Sequence, residues 1–277
     1  MHGRSIRLLA AALLSLIIVG GVPSRAVAEE PFALRVPVLM YHRITCPPPN
    51  ADLPALWVCP GRFEAHLDLL KANGWSTITA HRLARKFERR QTVGPKRFVI
   101  TIDDGIADGY TTAHPLLLEA GMRATYYVNP GKVRETGPAW LISFDQMRAL
   151  HAAGHDIASH SLDHADLTQL SGAALREQVE GAQAILTEEL GYRPRTLCYP
   201  LGRNDTEARR VVQESGLTLA FTTAHGALQS TSSPMSAPRI RINSWDTASD
   251  VLAKVAPYAA AAERPAVQAG RLAIWSR

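Results

Sequence analysis

Two pairs of polar side chains have the residue types and spacing that a hydrolytic metal site needs. Asp103 and Asp104 are adjacent carboxylates directly after an apolar run, and His160 and His164 are imidazoles four residues apart. One carboxylate can bind a divalent cation while its neighbour accepts a proton from the water that the cation polarises. Two imidazoles and one carboxylate leave coordination positions open for water and substrate, unlike the closed ligand set of a structural site.

Each pair also has a simpler explanation when it is taken alone. Adjacent aspartates followed by Gly105 are ordinary turn chemistry, and a lone pair of histidines is more often solvated on the surface. Both pairs, however, follow short apolar segments that we predict as strands of one sheet. The carboxyl ends of parallel strands meet at one edge, which is where barrel enzymes build their active sites. This shared position favours the metal site.

The elements that must position these residues alternate along the chain. Short apolar runs predict strands, and longer patterns with helical spacing lie between them, so we expect an α/β architecture with a largely parallel sheet. The predicted strands are 36–41, 98–102, 124–128, 156–159, 195–199, 219–222 and 239–242. The predicted helices are 63–72, 144–153, 172–190, 207–214 and 247–255. About seven strand and helix units in one domain fit a barrel.

The N-terminus has the three parts of a secretory signal peptide. Basic residues precede an apolar run over 8–22, and Ala26-Val27-Ala28 is a cleavage site, so we expect cleavage after Ala28. The alternative is an uncleaved membrane anchor, but the run is shorter than the roughly 20 residues that a spanning helix needs. We therefore expect a periplasmic or secreted protein without a membrane span. Its catalytic domain would cover 29–245, and 246–277 would form a C-terminal helix and a peripheral tail.

Export to an oxidising compartment makes cross-linking the first interpretation of the three cysteines. Cys46 and Cys59 flank a proline-rich loop, where a disulfide would contribute on the order of 3 kcal/mol. Cys198 lies in an apolar segment and is predicted to be a buried free thiol. The net charge of +5, with a sequence pI near 9.3, could favour an anionic cell-surface polymer. The charge does not indicate nucleic-acid binding, because no basic run is interleaved with aromatic residues and we expect the chain to be exported.

Four ordered segments resemble one known family. They are Thr101-Ile102-Asp103-Asp104-Gly105, His160-Ser161-Leu162-Asp163-His164, Cys198-Tyr199-Pro200-Leu201-Gly202, and Val36-Pro37-Val38-Leu39-Met40-Tyr41-His42. Together they resemble the polysaccharide deacetylase family (NodB homology domain, carbohydrate esterase family 4), and within it the poly-β-1,6-N-acetylglucosamine deacetylase branch. The resemblance covers roughly 35–242 and implies a distorted (β/α)7-type barrel.

The resemblance also implies roles for the matched residues. Asp104, His160 and His164 would hold one divalent metal, which is usually zinc in this family, although cobalt, nickel or iron can replace it. Asp103 would be the base that deprotonates the metal's water. The backbone N–H near Leu201 would stabilise the oxyanion together with the metal.

Three departures from the family pattern leave roles open. Common members carry an arginine in the third motif that pairs with the base, and the matching position here is Cys198. Arg239 or Arg241 could supply that charge. The late Leu-x-His motif that provides the general acid is missing, so His42 is the best replacement, with a buried structural histidine as the alternative. His225 is a second candidate, in a predicted exposed loop.

The third departure is at Leu201, which replaces an aromatic residue and so removes a sugar-stacking ring while leaving the backbone donor. Tyr199 and Trp140 could line a sugar groove, although core packing is the more common fate of such side chains. Asp163, between the two histidines, could orient one of them from behind or could simply be an exposed loop carboxylate.

These features predict an exported, metal-dependent hydrolase that removes N-acetyl groups from N-acetylhexosamine units of a polysaccharide or cell-wall glycan. One alternative is an O-acetyl esterase acting on xylan or peptidoglycan, because ester and amide hydrolysis use the same attack. Another is a carbohydrate-binding relative without catalysis, which the missing arginine and late histidine favour. Asp103 argues against a mere binder, which has no use for a base.

Overall fold

The structure is a computed structural model that describes residues 31–136 and 139–260. Its strands are β1 (Ala33–Arg35), β2 (Val38–Tyr41), β3 (Ser76–Thr77), β4 (Arg97–Ile102), β5 (Thr125–Val128), β6 (Asp156–Ser159), β7 (Thr196–Cys198), β8 (Leu219–His225), β9 (Leu228–Ser230) and β10 (Ala237–Arg241). Its α-helices are α1 (Pro60–Ala72), α2 (Ala80–Glu88), α3 (His114–Glu119), α4 (Pro130–Thr136), α5 (Phe144–Ala152), α6 (Gly172–Arg176), α7 (Ala182–Leu190), α8 (Thr206–Glu214) and α9 (Ala248–Val255).

Seven parallel strands close into a barrel in the order β2, β4, β5, β6, β7, β8 and β10. The ring closes because β2 pairs with β4 on one side and with β10 on the other. Closure leaves none of these seven strands with an unpaired edge. The short strand β3 pairs with the first two residues of β4, and β1 pairs with β9 in a separate antiparallel ribbon. The predicted (β/α)7-type barrel is confirmed.

Alternation along the strands separates an inner from an outer face. One buried cluster takes a residue from each barrel strand: Val38, Val99, Tyr127, Ala158, Cys198, Phe221 and Ala237. We call this the inner cluster. The adjacent residues along each strand, such as Leu39, Ile100 and Tyr126, pack against the surrounding helices in a second, outer cluster. The inner positions nearest the carboxyl ends of the strands are polar, and these positions build the site.

Helix α2 closes the amino-terminal end of the barrel. Its first turn is fixed there because the Ala80 N–H donates to Thr125 Oγ1 at 2.8 Å and the His81 N–H donates to Asp156 Oδ2 at 3.0 Å. Thr125 and Asp156 are the first residues of β5 and β6. The apolar side of α2, formed by Ala80, Leu83, Ala84 and Phe87, packs into the inner cluster. The carboxyl end of the barrel is therefore the end that remains open to solvent.

The predicted elements agree with the structure, with local differences. The predicted helix 172–190 is present, but a π-turn at Glu177–Gly181 divides it into α6 and α7. Three helices, α2, α3 and α4, were not predicted. Helix α9 confirms the predicted last helix and packs on α1, with Val251 and Val255 in the outer cluster.

The cysteines take the predicted arrangement. Cys46 and Cys59 form a disulfide across the loop between β2 and α1, and Cys198 is free and buried. The predicted signal peptide over 1–28 and the tail beyond residue 260 lie outside the described residues. Among the helices that the structure describes, none is long and apolar enough to span a membrane.

Candidate active site

The polar residues singled out in the sequence converge at the carboxyl end of the barrel. His42 follows β2, Asp103 and Asp104 follow β4, and His160 follows β6. The register of the parallel pairs places these strand ends side by side, since Tyr41 is paired with Ile102. This rim is where the predicted metal site was expected.

Asp104, His160 and His164 form a compact triad. Asp104 Oδ1 lies 3.3 Å from the Nε2 atoms of both histidines. The Nδ1 atom of His160 is 2.7 Å from the carbonyl oxygen of Cys198. Because a carbonyl can only accept, Nδ1 carries a proton, and Nε2 is the ring nitrogen that faces the triad. The partner that fixes the orientation of a metal-binding imidazole is therefore already in place.

The triad fits a divalent metal of zinc's size. Ligand atoms about 2.1 Å from one ion at a tetrahedral angle lie about 3.4 Å apart, close to the 3.3 Å seen from Asp104 to each imidazole. Burial alone would raise the pKa of Asp104, but its contacts with the two imidazoles hold that pKa well below its ordinary value. The carboxylate is therefore ionised and can act as a ligand. The three residues also leave room for further ligands.

A second group of potential ligand atoms, from Asp103, His160 and Cys198, does not fit a metal. Arg239 donates to both carboxylate oxygens of Asp103, and its Nη2 lies 2.8 Å from Cys198 Sγ. A cation placed among these atoms would sit against a fixed guanidinium. The metal is therefore expected at the triad alone.

Strained backbone conformations are concentrated around this triad. Asp104, Ser161, His164 and Leu201 have φ values of 72°, 67°, 71° and 58°, in the left-handed region that side chains with a Cβ rarely adopt. Each such residue costs of order 1–3 kcal/mol and persists only where its surroundings enforce it. The hydrogen bond from the His164 N–H to Ser161 Oγ, at 3.0 Å, is one such constraint. Strain of this kind points to residues held for chemistry.

Asp103 is fully buried and is held by Arg239. The guanidinium donates to its two oxygens at 2.8 and 2.7 Å, and it is fixed in turn by Thr101 Oγ1 and the Thr222 carbonyl oxygen. Burial would raise the pKa of Asp103, but the charge and hydrogen bonds of Arg239 outweigh burial and lower that pKa. Arg239 therefore supplies the charge that the third motif lacks, as one of the two predicted possibilities. Arg241, the other, is exposed.

His42 lies beside this buried carboxylate. Its Nε2 is 3.9 Å from Asp103 Oδ2, its side chain is 12% exposed, and its Nδ1 has no hydrogen-bond partner among the described residues. The alternative of a histidine bonded to a neighbouring backbone group is therefore not observed. Burial lowers the pKa of His42, although the carboxylates of Asp103 and Asp104 oppose the change. The ring is neutral at neutral pH.

A cavity of about 210 Å³ opens beside the triad. It is lined by Asp104, Ile106, Asn129, Lys132, Trp140, Leu141 and His164. Trp140 is 54% exposed here, so it lies at the site and not in the core that was the favoured expectation. Asn129 was not singled out from the sequence. It follows β5 at the same rim and donates from Nδ2 to the carbonyl oxygen of His160 at 2.5 Å.

Two residues of the third motif have opposite surroundings. Tyr199 is fully buried and its hydroxyl donates to the Met235 carbonyl oxygen, so it does not line a sugar groove as a substrate-binding residue, and the favoured expectation of core packing is the one observed. The reason is alternation, because Cys198 faces into the barrel and Tyr199 therefore faces outward. Leu201 is 56% exposed at the rim.

Two further predicted candidates lie apart from the triad. His225 is exposed at the end of β8, which continues further than predicted and replaces the expected loop. Asp163 is exposed and makes no side-chain contact with either triad histidine among the described residues. This agrees with the alternative of a loop carboxylate.

Fold and site together define a class of protein, the (β/α)-barrel hydrolases that use a carboxylate base beside a candidate metal triad. Comparison with known proteins gives the particular family. The family model described as polysaccharide deacetylase matches residues 90–220, which contain Asp103 and the whole triad. These residues make up just under half of the chain, which over them is similar to the polysaccharide deacetylase family. Fold, site and relatives together identify the protein as a hydrolase of the polysaccharide deacetylase class.

Individual relatives agree with this assignment. The deacetylase PplD of Streptococcus pyogenes, solved in complex with acetate, superimposes with a TM-score of 0.74 and 26% identity over 80% of this chain and 98% of that chain. YxkH of Bacillus subtilis is 26% identical over 209 residues, which are 76% of this chain and 72% of that protein. The peptidoglycan-N-acetylglucosamine deacetylase PgdA of Listeria monocytogenes is 30% identical over 132 residues, 45% of this chain but only 25% of PgdA.

Proposed function

We propose that this protein is a metal-dependent hydrolase that removes N-acetyl groups from N-acetylhexosamine units of a polysaccharide. The observation that carries the proposal is the ionised base Asp103, held by the buried Arg239 next to a metal triad at an open rim. A protein that only bound sugars would gain nothing from an ionised carboxylate kept in its interior, because burying a charge is costly.

Asp104, His160 and His164 would hold the metal, for which zinc is the expected ion. A bound divalent metal would supply Lewis acidity, lowering the pKa of a water molecule and polarising the acetyl carbonyl. The protein's part is to keep these ligands oriented. The Cys198 carbonyl does so for His160, and the hydrogen bond of the His164 N–H to Ser161 fixes the backbone at His164.

Asp103 is the general base in this proposal. It accepts a proton from the attacking water as the water oxygen bonds to the acetyl carbon. Its lowered pKa keeps it unprotonated throughout the neutral range, so it is always ready to accept. The negative charge that develops on the acetyl oxygen is stabilised by a backbone N–H near Leu201, whose left-handed conformation sets the direction of the backbone there.

His42 is the proposed general acid. When the carbon–nitrogen bond breaks, the amine nitrogen must receive a proton, and a protonated imidazole with a lowered pKa gives one up readily. Because the resting ring is neutral, that proton must first come from Asp103, whose carboxylate is 3.9 Å away. A small side-chain movement brings this pair to hydrogen-bond distance. The products are acetate and a free amine, and both residues return to their starting states.

The N-acetyl specificity rests on resemblance and on relatives. The segment Tyr41-His42 and the segment 199–202 resemble the poly-β-1,6-N-acetylglucosamine deacetylase branch, and PgdA is named for an N-acetylglucosamine substrate. Trp140, exposed beside the triad, offers a ring on which a sugar can stack. The disulfide between Cys46 and Cys59 agrees with a periplasmic or secreted location.

The decisive experiment removes the metal with a chelator, restores zinc, and measures acetate release from N-acetylglucosamine oligomers and from acetylated xylan. We expect zinc to restore release from the oligomers. Asp103→Asn is the matched control because it should abolish release while leaving the bound zinc in place. Release from xylan alone would assign the O-acetyl esterase activity, and sugar binding unaffected by Asp103→Asn without any release would assign a non-catalytic relative.

A second experiment tests the acid. His42→Ala should lower turnover of the amide about 10²- to 10⁴-fold, with metal content unchanged. It should have far less effect on a nitrophenyl acetate, whose leaving group departs without a proton. His225→Ala, at the exposed histidine outside the site, should change neither reaction. Equal losses on amide and ester would contradict the acid role of His42.

A further inference from the structure

The side of α2 that faces away from the barrel carries an unusual concentration of positive charge. The segment 80–91, Ala-His-Arg-Leu-Ala-Arg-Lys-Phe-Glu-Arg-Arg-Gln, contains five Lys or Arg residues and one acidic residue. That acidic residue, Glu88, forms an ion pair with Arg195 at 2.9 Å and so does not offset the helix's own cations. Part of the positive charge of this chain is therefore concentrated on one helix.

Four of these cations share one surface. Arg82, Arg85 and Arg89 follow a spacing of three and four residues, which places them on one side of the helix with Lys86 between them. The span from Arg82 to Arg89 is about 10 Å at the ordinary helical rise. None of the four forms an ion pair with a carboxylate within 31–136 or 139–260. Like charges this close repel one another, so the arrangement weakens the helix unless an anion offsets it.

The surface is also recessed. With His81 and Gln91, the four cations line a cavity of about 310 Å³. No large hydrophobic side chain is exposed on α2, since the exposed ones in the described part of the chain are Leu53, Leu118, Trp140, Leu201, Leu228 and Trp245. Contacts made here must be polar. A narrow flexible chain can enter a recess, whereas a flat lipid bilayer would contact only the edge of the recess.

We propose that this recess, formed by Arg82, Arg85, Lys86 and Arg89, binds a linear polyanion whose repeating units carry phosphate groups. Arginine guanidinium groups match phosphate oxygens with paired hydrogen bonds, and three of them in a row can bind successive groups along one chain. The recess is at the amino-terminal end of the barrel, opposite the metal rim. A bound polymer would hold the enzyme in place and leave the rim open to its substrate.

The test measures binding of fluorescently labelled inorganic polyphosphate to the full chain over a range of salt concentrations. Arg85→Ala/Arg89→Ala should weaken binding at least tenfold. It should also reduce the slope of log affinity against log salt by about 1.4, since each neutralised charge of a single-stranded polyanion contributes about 0.7. Both arginines are exposed, so the fold should be kept, and thermal unfolding checks this.

The matched control is Arg176→Ala/Arg210→Ala, which removes the same charge from an exposed pair elsewhere and should leave the affinity unchanged. Acetate release from soluble oligomers, measured without polyphosphate, should be the same in all three proteins. Equal weakening by both double variants would reduce the effect to net charge and overturn the proposal. Absence of polyphosphate binding would overturn it too, as would binding to anionic lipid vesicles in its place.

Discussion

Replacing Arg239 by methionine is the sharpest perturbation of this site, because it removes a charge without enlarging the side chain. Arg239 is fully buried, donates to both oxygens of Asp103 at 2.8 and 2.7 Å, and also donates to Thr101 Oγ1 and the Thr222 carbonyl oxygen. Arg239→Met leaves the Asp103 carboxylate buried and without its countercharge. Breaking a buried pair in this way costs about 3–5 kcal/mol. Denaturant unfolding would measure that loss.

The same substitution should change the pH dependence of activity. In the native protein, Arg239 lowers the pKa of Asp103 below its ordinary 3.8. The pair therefore contributes stability that is fully present above the unfolded pKa and is lost as pH falls through the folded pKa. Without Arg239, burial dominates and raises the pKa of Asp103. The acidic limb of kcat/KM for acetate release should then move to higher pH, and activity at pH 7 should fall because part of the base is protonated.

Two further variants separate this effect from general damage. Arg241→Met removes the same charge from the exposed arginine on the same strand, and it should leave both stability and the acidic limb unchanged. Asp103→Asn/Arg239→Met should recover part of the stability lost in Arg239→Met, because the unpaired charge is gone. Metal content should be normal in all of them. A native pH profile in Arg239→Met would refute the assignment of Arg239 as the residue that keeps the base ionised.

Three other outcomes can be measured directly. His164→Asn should lower metal affinity by more than the roughly 10- to 100-fold cost of losing a ligand's hydrogen-bond partner, while Asp163→Asn leaves it unchanged in dialysed protein. Native metal content should also decline as the pH is lowered, because an imidazole must be unprotonated to bind a metal. Joint replacement of Cys46 and Cys59 by alanine should lower the free energy of unfolding by about 3 kcal/mol, and a thiol count of three in denatured, unreduced native protein would contradict the disulfide. Trp140→Ala should raise KM for oligomers roughly fivefold, since about 1 kcal/mol of ring contact is lost, with kcat unchanged; an unaltered KM would remove Trp140 from the substrate groove.

Much of the barrel could be predicted because its signals are local. Most barrel strands are short apolar runs, and the first polar residues after β4 and β6 include Asp103, Asp104 and His160. The parallel arrangement then brings these strand ends together without further information. Helix α2 was missed because its sequence is dominated by charge, and only packing shows that Leu83, Ala84 and Phe87 share a buried side.

The contacts across the barrel could not be predicted in the same way. Arg239 and Arg241 are two residues apart on one strand, so alternation gives them the same face and cannot choose between them. The choice depends on depth in the barrel, where Arg239 is fully buried and Arg241 is exposed. Tyr199, by contrast, could have been excluded from the site, because an inward Cys198 implies an outward neighbour.

Arg239, the partner of Asp103, comes from β10, the strand that joins β2 and completes the ring. The three candidate metal ligands are Asp104, His160 and His164. During translation they are therefore synthesised well before Arg239. A chain that stops short of β10 would carry a full set of metal-binding side chains beside a carboxylate with no countercharge. Under the proposed mechanism, activity requires the closed ring, and a chain without β10 would be inactive even where its triad still bound metal.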